Sequence, residues 1–228
     1  MKHALAWFVC GTDTGVGKTH VTCALLHAAR NKGLSAVGMK PVAAGAELLN
    51  GEWLNDDVAW LRAASSFDPG LALQNPYCFR EAIAPHLAAA HENVRIEARP
   101  IIDAFETLRA RAEVVLIEGV GGFMVPLGED FDSADLAVQL GAPVILVVGM
   151  RLGCINHSLL TCEAIKARGL RLAGWVANRI DPDMACHAEN LAALRRLIQA
   201  PLLGELPFLP NPDPVSTALA LTLPQGVQ

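Results

Sequence analysis

Short apolar runs alternate with amphipathic segments along this chain. The runs that have the length and composition of β-strands are His3–Cys10, Leu34–Met39, Glu113–Glu118, Pro143–Gly149, Arg171–Ala177 and Pro201–Glu205. Two stretches inside them, Val114–Ile117 and Val144–Val148, contain no alternating polar residue, which is typical of strands buried on both faces. The pattern predicts an α/β fold of the P-loop NTPase type, with a mostly parallel central sheet and helices on both faces.

Apolar residues recur at helical spacing between these strands. The predicted helices cover Lys18–Asn31, Asp56–Ala64, Glu97–Ala112, Ser133–Leu140, Cys154–Arg168 and Met184–Gln199. Gly33 follows the first of them and is a favourable C-cap. The segments 43–55 and 65–93 are left as long connections, and such connections in compact domains often carry function.

The composition favours one globular domain over residues 1–228, in which the segment 211–228 has no assigned role. Hydrophobic residues make up 52% of the chain and charged residues 18%, which indicates a large aliphatic core and excludes a disordered chain. The net charge is -5, which argues against a protein that binds nucleic acid or an anionic membrane by charge. We therefore expect small molecules or other proteins as partners.

The cysteines and the apolar runs predict a soluble, cytoplasmic protein. The 6 cysteines are scattered singly, without the spacing of a zinc site or a redox pair, and are expected to be reduced thiols. The most apolar stretch, Ala142–Met150, is far shorter than the ~20 residues of a membrane span. The apolar N-terminal stretch is too short for a signal-peptide core and is needed as a strand.

A glycine-rich loop follows the first predicted strand and leads directly into a helix. It has the pattern Gly-x-x-x-x-x-Gly-Lys-Thr from Gly11 to Thr19, with Thr12 in place of the usual first glycine. In such loops, backbone N–H groups surround the phosphates, the lysine reaches the β- and γ-phosphates, and the hydroxyl binds Mg²⁺. The predicted contacts to a nucleoside triphosphate are Thr12, Asp13, Thr14, Gly15, Val16, Gly17, Lys18 and Thr19. The alternative is a strand-to-helix turn with an incidental lysine.

One position inside the loop separates branches of this fold. Partitioning ATPases and nitrogenase iron proteins resemble it but carry an extra lysine near the start of the loop, which neutralises phosphate charge across a dimer interface. Asp13 occupies that position here, and its charge is of the opposite sign. The chain is therefore not expected to belong to that branch.

Two acidic positions are candidates for Mg²⁺ ligands. Glu118 ends an apolar strand and precedes Gly119, so its carboxylate is expected at the carboxyl edge of the sheet, where ligands bind in open α/β folds. The alternative is a solvated acid at a strand end. Asp57 begins a helical pattern and either caps the helix or faces the metal, while Asn55 or Asp56 supplies the cap.

Three further positions lie at the same predicted edge. Lys40 ends the second strand before Pro41, and is either a site lysine or an ordinary surface lysine. The segment 153–157 opens a helix whose free N–H groups form an anion site or are simply capped. Asn178 ends another strand, where its amide reads an adenine edge or caps a turn.

Taken together, these motifs resemble the dethiobiotin synthetases along nearly the whole chain. The matching stretches are 11–19, Lys-Pro-Val at 40–42, Asn-Pro-Tyr at 75–77, Ala-Pro-His at 84–86, Glu-Gly-Val-Gly-Gly at 118–122, 143–149, Leu-Gly-Cys-Ile-Asn-His at 152–157, 173–178 and 201–207. The resemblance implies a homodimer that converts 7,8-diaminononanoate, CO₂ and ATP into dethiobiotin, ADP and phosphate. It implies a carbamate and a carbamic-phosphoric mixed anhydride as intermediates, with no protein nucleophile.

The resemblance also implies roles for single residues. It implies Thr19, Asp57 and Glu118 as Mg²⁺ ligands, and Lys18 and Lys40 as catalytic lysines. It implies Thr14 as a phosphate contact, and Asn178 and Pro207 as contacts of the adenine. The segment that would bind the substrate carboxylate from the neighbouring subunit is Gly153, Cys154, Ile155 and Asn156. Two positions depart from some members of the family: Gly15 replaces a Glu and Ala44 replaces a Ser. We expect activity to survive both changes.

Two other classes of protein share part of this pattern. Amidotransferase-type synthetases of corrin biosynthesis share the loop and the fold but carry an extra glutaminase domain, for which the chain of 228 residues leaves no room. A nucleotide-switched partitioning protein would need the loop lysine that is replaced by Asp13.

Overall fold

The computed structural model of the chain describes residues 4–49 and 51–225. In chain order the elements are β1 (Leu5–Gly11), α1 (Lys18–Asn31), β2 (Ala36–Met39), β3 (Val42–Ala44), β4 (Glu47–Leu49), β5 (Glu52–Leu54), α2 (Asp56–Ala64), α3 (Leu71–Gln74), β6 (Tyr77–Phe79), α4 (Pro85–His91), α5 (Ala98–Arg111), β7 (Val114–Glu118), α6 (Ser133–Leu140), β8 (Val144–Met150), α7 (Cys154–Ala167), β9 (Leu172–Arg179), α8 (His187–Leu197), β10 (Leu202–Leu206), α9 (Pro214–Thr217) and a 3₁₀ helix (Ala218–Ala220).

The six strands predicted from the apolar runs form one sheet in the described part of the chain, in the order β10-β9-β8-β1-β7-β2. Every neighbouring pair is parallel, as predicted. The strand ends differ from the predicted ones by at most two residues, and the predicted start at His3 lies outside the described residues. Strands β7 and β8 are buried along their whole length, as their uninterrupted apolar sequence indicated.

Helices cover both faces of this sheet. Alternate residues of β1 point to opposite faces: Trp7 and Val9 belong to the core under α1 and α2, and Phe8 and Cys10 belong to the core on the other face. The helices packed on that second face are α5, α6, α7 and α8, through buried residues that include Phe105, Leu136, Ile165 and Leu194. The two cores explain why β1, at the centre, contains so little polar surface.

The predicted helices agree closely with α1, α2, α5, α6, α7 and α8, although α8 is shorter than the predicted span of 184–199. The two predicted connections contain short elements that the sequence analysis missed. Val42–Ala44 pairs with Tyr77–Phe79, and Glu47–Leu49 pairs with Glu52–Leu54. Strands of three residues have too little periodicity to be recognised, and the first pair joins segments that are distant in the sequence.

The tail, to which the sequence analysis assigned no role, packs on α1 and β10 over the residues that the structure describes. Asp213 caps α9 by accepting hydrogen bonds from the N–H groups of Val215 and Ser216. Leu221 is buried in the core beneath α1, and the N–H of Thr222 donates to the Leu203 carbonyl at 2.8 Å. The tail therefore closes the apolar core at this end of the sheet.

Within residues 4–49 and 51–225, no helix has the length and apolar character needed to cross a membrane.

Candidate nucleotide and metal site

The glycine-rich loop connects the central strand β1 to α1 at the carboxyl edge of the sheet. Gly15 and Gly17 have φ values of 72° and 82°, in the left-handed region that favours glycine. The Asn178 side chain donates to the Val16 carbonyl at 2.9 Å, so the end of β9 supports the loop. An added Cβ on Gly17 would lie 2.2 Å from the Asn178 amide nitrogen, which leaves room only for glycine. Asn178 is therefore a loop support, and not merely a turn cap.

Lys18 lies at the start of α1 and is buried. Its ammonium donates to the Asp13 carbonyl at 3.1 Å, which folds the side chain back across the loop. Burial lowers the pKa of Lys18, the nearby charge of Lys40 lowers it further, and Glu118 acts in the opposite direction. The loop therefore presents a lysine ammonium towards its own concave side, where phosphates bind in loops of this type.

Lys40 lies between two carboxylates. Its Nζ is 2.6 Å from Asp57 Oδ2 and 2.6 Å from Glu118 Oε1. Lys40 is only 4% exposed and Glu118 is 0% exposed, so Lys40 is not a surface lysine and Glu118 is not a solvated strand-end acid. Burial by itself lowers the pKa of Lys40, but Glu118 and Asp57 outweigh that effect and raise it. Lys40 is therefore a charged lysine at neutral pH.

Thr19, Asp57 and Glu118, the three predicted metal ligands, meet around this lysine. The Thr19 hydroxyl donates to Glu118 Oε1 at 2.8 Å. Helix α2 is capped by Asn55, whose Oδ1 accepts from the Asp57 N–H at 3.1 Å, so the Asp57 carboxylate is left to face the site. Burial would raise the pKa of Asp57, but Lys40 outweighs it through charge and hydrogen bonding and lowers that pKa.

The donor set fits Mg²⁺. Glu118 Oε2 is buried and has no hydrogen-bond partner among the described residues, so it is an oxygen with an unused lone pair. Carboxylate and hydroxyl oxygens are the ligands that Mg²⁺ prefers, and it usually takes only one or two carboxylates, with phosphate and water oxygens completing the shell. Residues 4–49 and 51–225 hold no cluster of three or more His, Cys, Asp or Glu side chains arranged for a metal.

These groups line a cleft of about 1000 Å³ at the carboxyl edge of the sheet. The loop residues Asp13, Thr14, Gly15, Gly17, Lys18 and Thr19 form one wall. The cleft is also lined by residues to which the sequence analysis assigned no contact, namely Ala43, Asn55, Ala82, Ile83, Ala84, Pro85, Val120 and Val125. The matching stretches at 84–86 and 118–122 were the available signals for three of these residues, Ala84, Pro85 and Val120. Ala44, one of the two departures noted in the sequence, also lines the cleft.

A second, smaller pocket of about 200 Å³ lies on the other side of the loop. It brings together Asn178 and Pro207, the two residues predicted at the adenine, although they end different strands. The pocket is also lined by His20, Phe208 and Leu209, which the sequence analysis missed. Both apolar residues lie just after β10, and the sequence carries no periodic pattern there that would have marked them.

The predicted carboxylate site at 153–156 is located elsewhere. Gly153, with φ 96°, precedes α7, and its neighbour Leu152 is 93% exposed. In the described part of the chain, Gly153, Cys154, Ile155 and Asn156 do not line the cleft. In the described residues of a single chain, this helix start is therefore not part of the cleft lining.

Comparison with known proteins identifies the relatives of this chain. The family described as AAA domain matches residues 6–216. The ATP-dependent dethiobiotin synthetase BioD of Aromatoleum aromaticum is 65% identical over 224 residues, which cover 98% of this chain and 100% of that protein. The protein of the same name from Xanthomonas axonopodis pv. citri is 49% identical over 99% of this chain and 100% of its own length. The chain belongs to the dethiobiotin synthetase family. It is therefore an ATP-dependent ligase of biotin biosynthesis, as the resemblance implied.

Solved structures with low sequence identity share the fold of this synthetase. The MinD cell division protein of Aquifex aeolicus has a TM-score of 0.54 at 14% identity, over 91% of this chain and 84% of that one. The signal recognition particle receptor FtsY of Elizabethkingia anophelis in complex with GDP has a TM-score of 0.51 at 15% identity, over 90% of this chain and 57% of that one. The predicted P-loop NTPase fold is thus confirmed.

Proposed function

We propose that this synthetase carboxylates 7,8-diaminononanoate with CO₂ and closes the cyclic urea of dethiobiotin, with conversion of ATP to ADP and phosphate. The observation that carries the proposal is the buried Lys40, held between Asp57 and Glu118 beside the phosphate loop. A fixed cation at that point suits a reaction that gathers negative charge on a carbamate and on a phosphoryl group.

The proposed reaction has three steps. One substrate amine attacks CO₂ and loses a proton, which gives a carbamate. A carbamate oxygen then attacks the γ-phosphorus of ATP, and ADP leaves. The second amine finally attacks the carbamoyl carbon and loses a proton, the bond to the phosphate oxygen breaks, and phosphate leaves as the ring closes. No step requires a protein nucleophile, so catalysis rests on positioning and charge stabilisation.

The residues of the cleft have separate tasks in this proposal. The loop from Thr12 to Val16, with Gly17, surrounds the phosphates, and Lys18 stabilises the charge on the transferred group. Thr19, Asp57 and Glu118 would hold Mg²⁺, which neutralises phosphate charge when it is bound. Lys40 remains protonated, since its pKa is raised, and stabilises the carbamate. We expect activity to survive the departures at Gly15 and Ala44, since neither side chain has a task in this proposal.

We further propose that the pocket with Asn178 and Pro207 holds the adenine, and that the enzyme acts as a homodimer in the cytoplasm. In a dimer, the helix start at Gly153–Asn156 of one subunit would take the substrate carboxylate at the cleft of the other. The exposed Leu152 and Leu160 on this part of the chain support burial against a second copy. Sedimentation analysis tests this proposal, and an active monomer would contradict it.

An ADP-release assay tests the reaction. We expect ADP only when the diamine and bicarbonate are both present, together with a ureido product detected by mass spectrometry. Removal of Mg²⁺ with a chelator should abolish turnover, and added Mg²⁺ should restore it. Nucleotide hydrolysis that does not depend on the diamine, with no ureido product, would contradict the proposed reaction.

A further inference from the structure

Asp13 places a negative charge in the loop that is proposed to bind phosphates. It lines the cleft together with Lys18 and Thr14. A carboxylate near a triphosphate repels it, and the repulsion is strong where water is partly excluded. The proposed reaction gives the Asp13 carboxylate no task. Another group must therefore neutralise its charge if the loop is to bind a triphosphate.

The compensation is visible in the contacts of the Asp13 side chain. Its Oδ2 lies 2.6 Å from Arg151 Nη2. Its Oδ1 accepts a hydrogen bond from the Thr14 N–H at 2.7 Å. Both carboxylate oxygens are therefore engaged, one of them by a full positive charge.

Arg151 comes from a different part of the chain. It directly follows β8, which pairs with β1 in the central sheet, so the ends of these two strands are neighbours. The loop is tied to β8 at a second point, because the Thr12 N–H donates to the Val147 carbonyl at 3.0 Å. The start of the phosphate loop is thus fixed to the end of β8 by its backbone and by an ion pair.

We propose that Arg151 is a positioning residue for ATP, which neutralises Asp13 and holds the phosphate loop in its binding shape. The Asp13 carbonyl also accepts from Lys18 Nζ, so a displaced Asp13 would displace the phosphate lysine as well. This inference rests on the proposed nucleotide site. In the partitioning ATPases a loop lysine neutralises phosphate charge. Here, Arg151 would instead neutralise the carboxylate of the protein's own Asp13.

The expected signature is a change in nucleotide affinity without a change in stability. Asp13 and Arg151 are both about half exposed, and exposed ion pairs contribute little to the free energy of unfolding. The effect on a bound polyanion is larger, because removal of Arg151 leaves an uncompensated negative charge in the cleft.

Calorimetric binding of a non-hydrolysable ATP analogue with Mg²⁺ tests this inference on the full chain. Arg151→Ala should raise the Kd about five- to tenfold and leave the melting temperature unchanged. In steady-state kinetics, the KM for ATP should rise by a larger factor than kcat falls. The double variant Arg151→Ala/Asp13→Asn should recover most of the lost affinity, because Asn keeps an oxygen for the Thr14 N–H and removes the charge. Arg99→Ala is the matched control, since Arg99 forms an exposed pair with Asp103 on α5, away from the cleft.

Two results would overturn the inference. Unchanged affinity in Arg151→Ala would show that Arg151 has no part in nucleotide binding. Failure of Asp13→Asn to restore affinity in the Arg151→Ala background would show that Arg151 contacts the ligand directly, and not through Asp13. Lys18→Gln tests the proposed nucleotide site independently of Arg151. A normal ATP affinity in that variant would contradict the site itself.

Discussion

The ammonium of Lys40 lies 2.6 Å from the carboxylate of Glu118, although 78 positions separate the two residues. The register of the central sheet accounts for this contact. Strands β2 and β7 are parallel neighbours in which Met39 pairs with Ile117, so Lys40, which follows β2, lies beside Glu118, the last residue of β7. The ion pair is thus a direct consequence of strand order.

Loss of Lys40 should affect stability and activity separately. Lys40→Met leaves the buried Glu118 without its cation, and breaking a buried pair in this way costs about 3–5 kcal/mol. The proposed reaction also loses its fixed charge, so kcat should fall about 10²–10³-fold. Urea unfolding and the ADP-release assay measure the two effects.

A double variant distinguishes the two effects. In Lys40→Met/Glu118→Gln the uncompensated charge is gone, so most of the lost stability should return while activity stays low. If the double variant remained as unstable as Lys40→Met, the cost would come from packing and not from the unpaired carboxylate.

Acid should weaken the fold through Asp57. The pKa of Asp57 is lowered in the folded protein, because the charge and hydrogen bond of Lys40 outweigh the effect of burial. A carboxyl group with a lowered folded pKa contributes stability above its unfolded pKa and loses it as the pH falls through the folded pKa. The difference in unfolding free energy between the parent and Asp57→Asn should therefore shrink as the pH falls below about 5. A difference that stays constant down to the acid transition would contradict the lowered pKa.

The two left-handed glycines of the loop should differ in their tolerance of substitution. Gly17→Ala combines a φ of 82° with a Cβ 2.2 Å from the Asn178 side chain, so both the loop and its support must shift. Gly15→Ala has a φ of 72° but meets nothing within 4 Å among the described residues, and should cost only about 1–2 kcal/mol of backbone strain. Thermal unfolding and ATP affinity should therefore be affected more by Gly17→Ala. Equal effects would show that backbone conformation alone decides the cost.

The C-terminal tail should contribute to stability through Leu221. This side chain is 6% exposed and packs in the core beneath α1, so Leu221→Ala should cost about 2–5 kcal/mol of unfolding free energy. Leu219→Ala is a matched control, because Leu219 is 84% exposed two positions earlier. Similar urea midpoints for the two variants would mean that the tail does not share the core.

The sequence predicted the elements that carry their own local signal. The aliphatic runs of β7 and β8 are buried because no polar residue interrupts them, and the helical spacing of α1, α2 and α6 marked their limits. It predicted less well where a structure depends on a distant partner. Strands β3 and β6 exist only because they pair with each other, and neither has a periodic pattern of its own.

The candidate site also has parts that carry a local signal and parts that depend on distant partners. The loop from Gly11 to Thr19 is readable from the sequence, because it is continuous and its spacing reflects the way a backbone surrounds phosphates. The cap of α2 is a local contact, for which the sequence offered Asn55 or Asp56 and the structure shows Asn55. Only the tertiary structure decided that Lys40 lies between two carboxylates and that Arg151 pairs with Asp13. These contacts follow from the order and register of parallel strands, which bring the ends of distant segments to one edge of the sheet. Local composition and periodicity carry the first kind of information, and no local pattern carries the second.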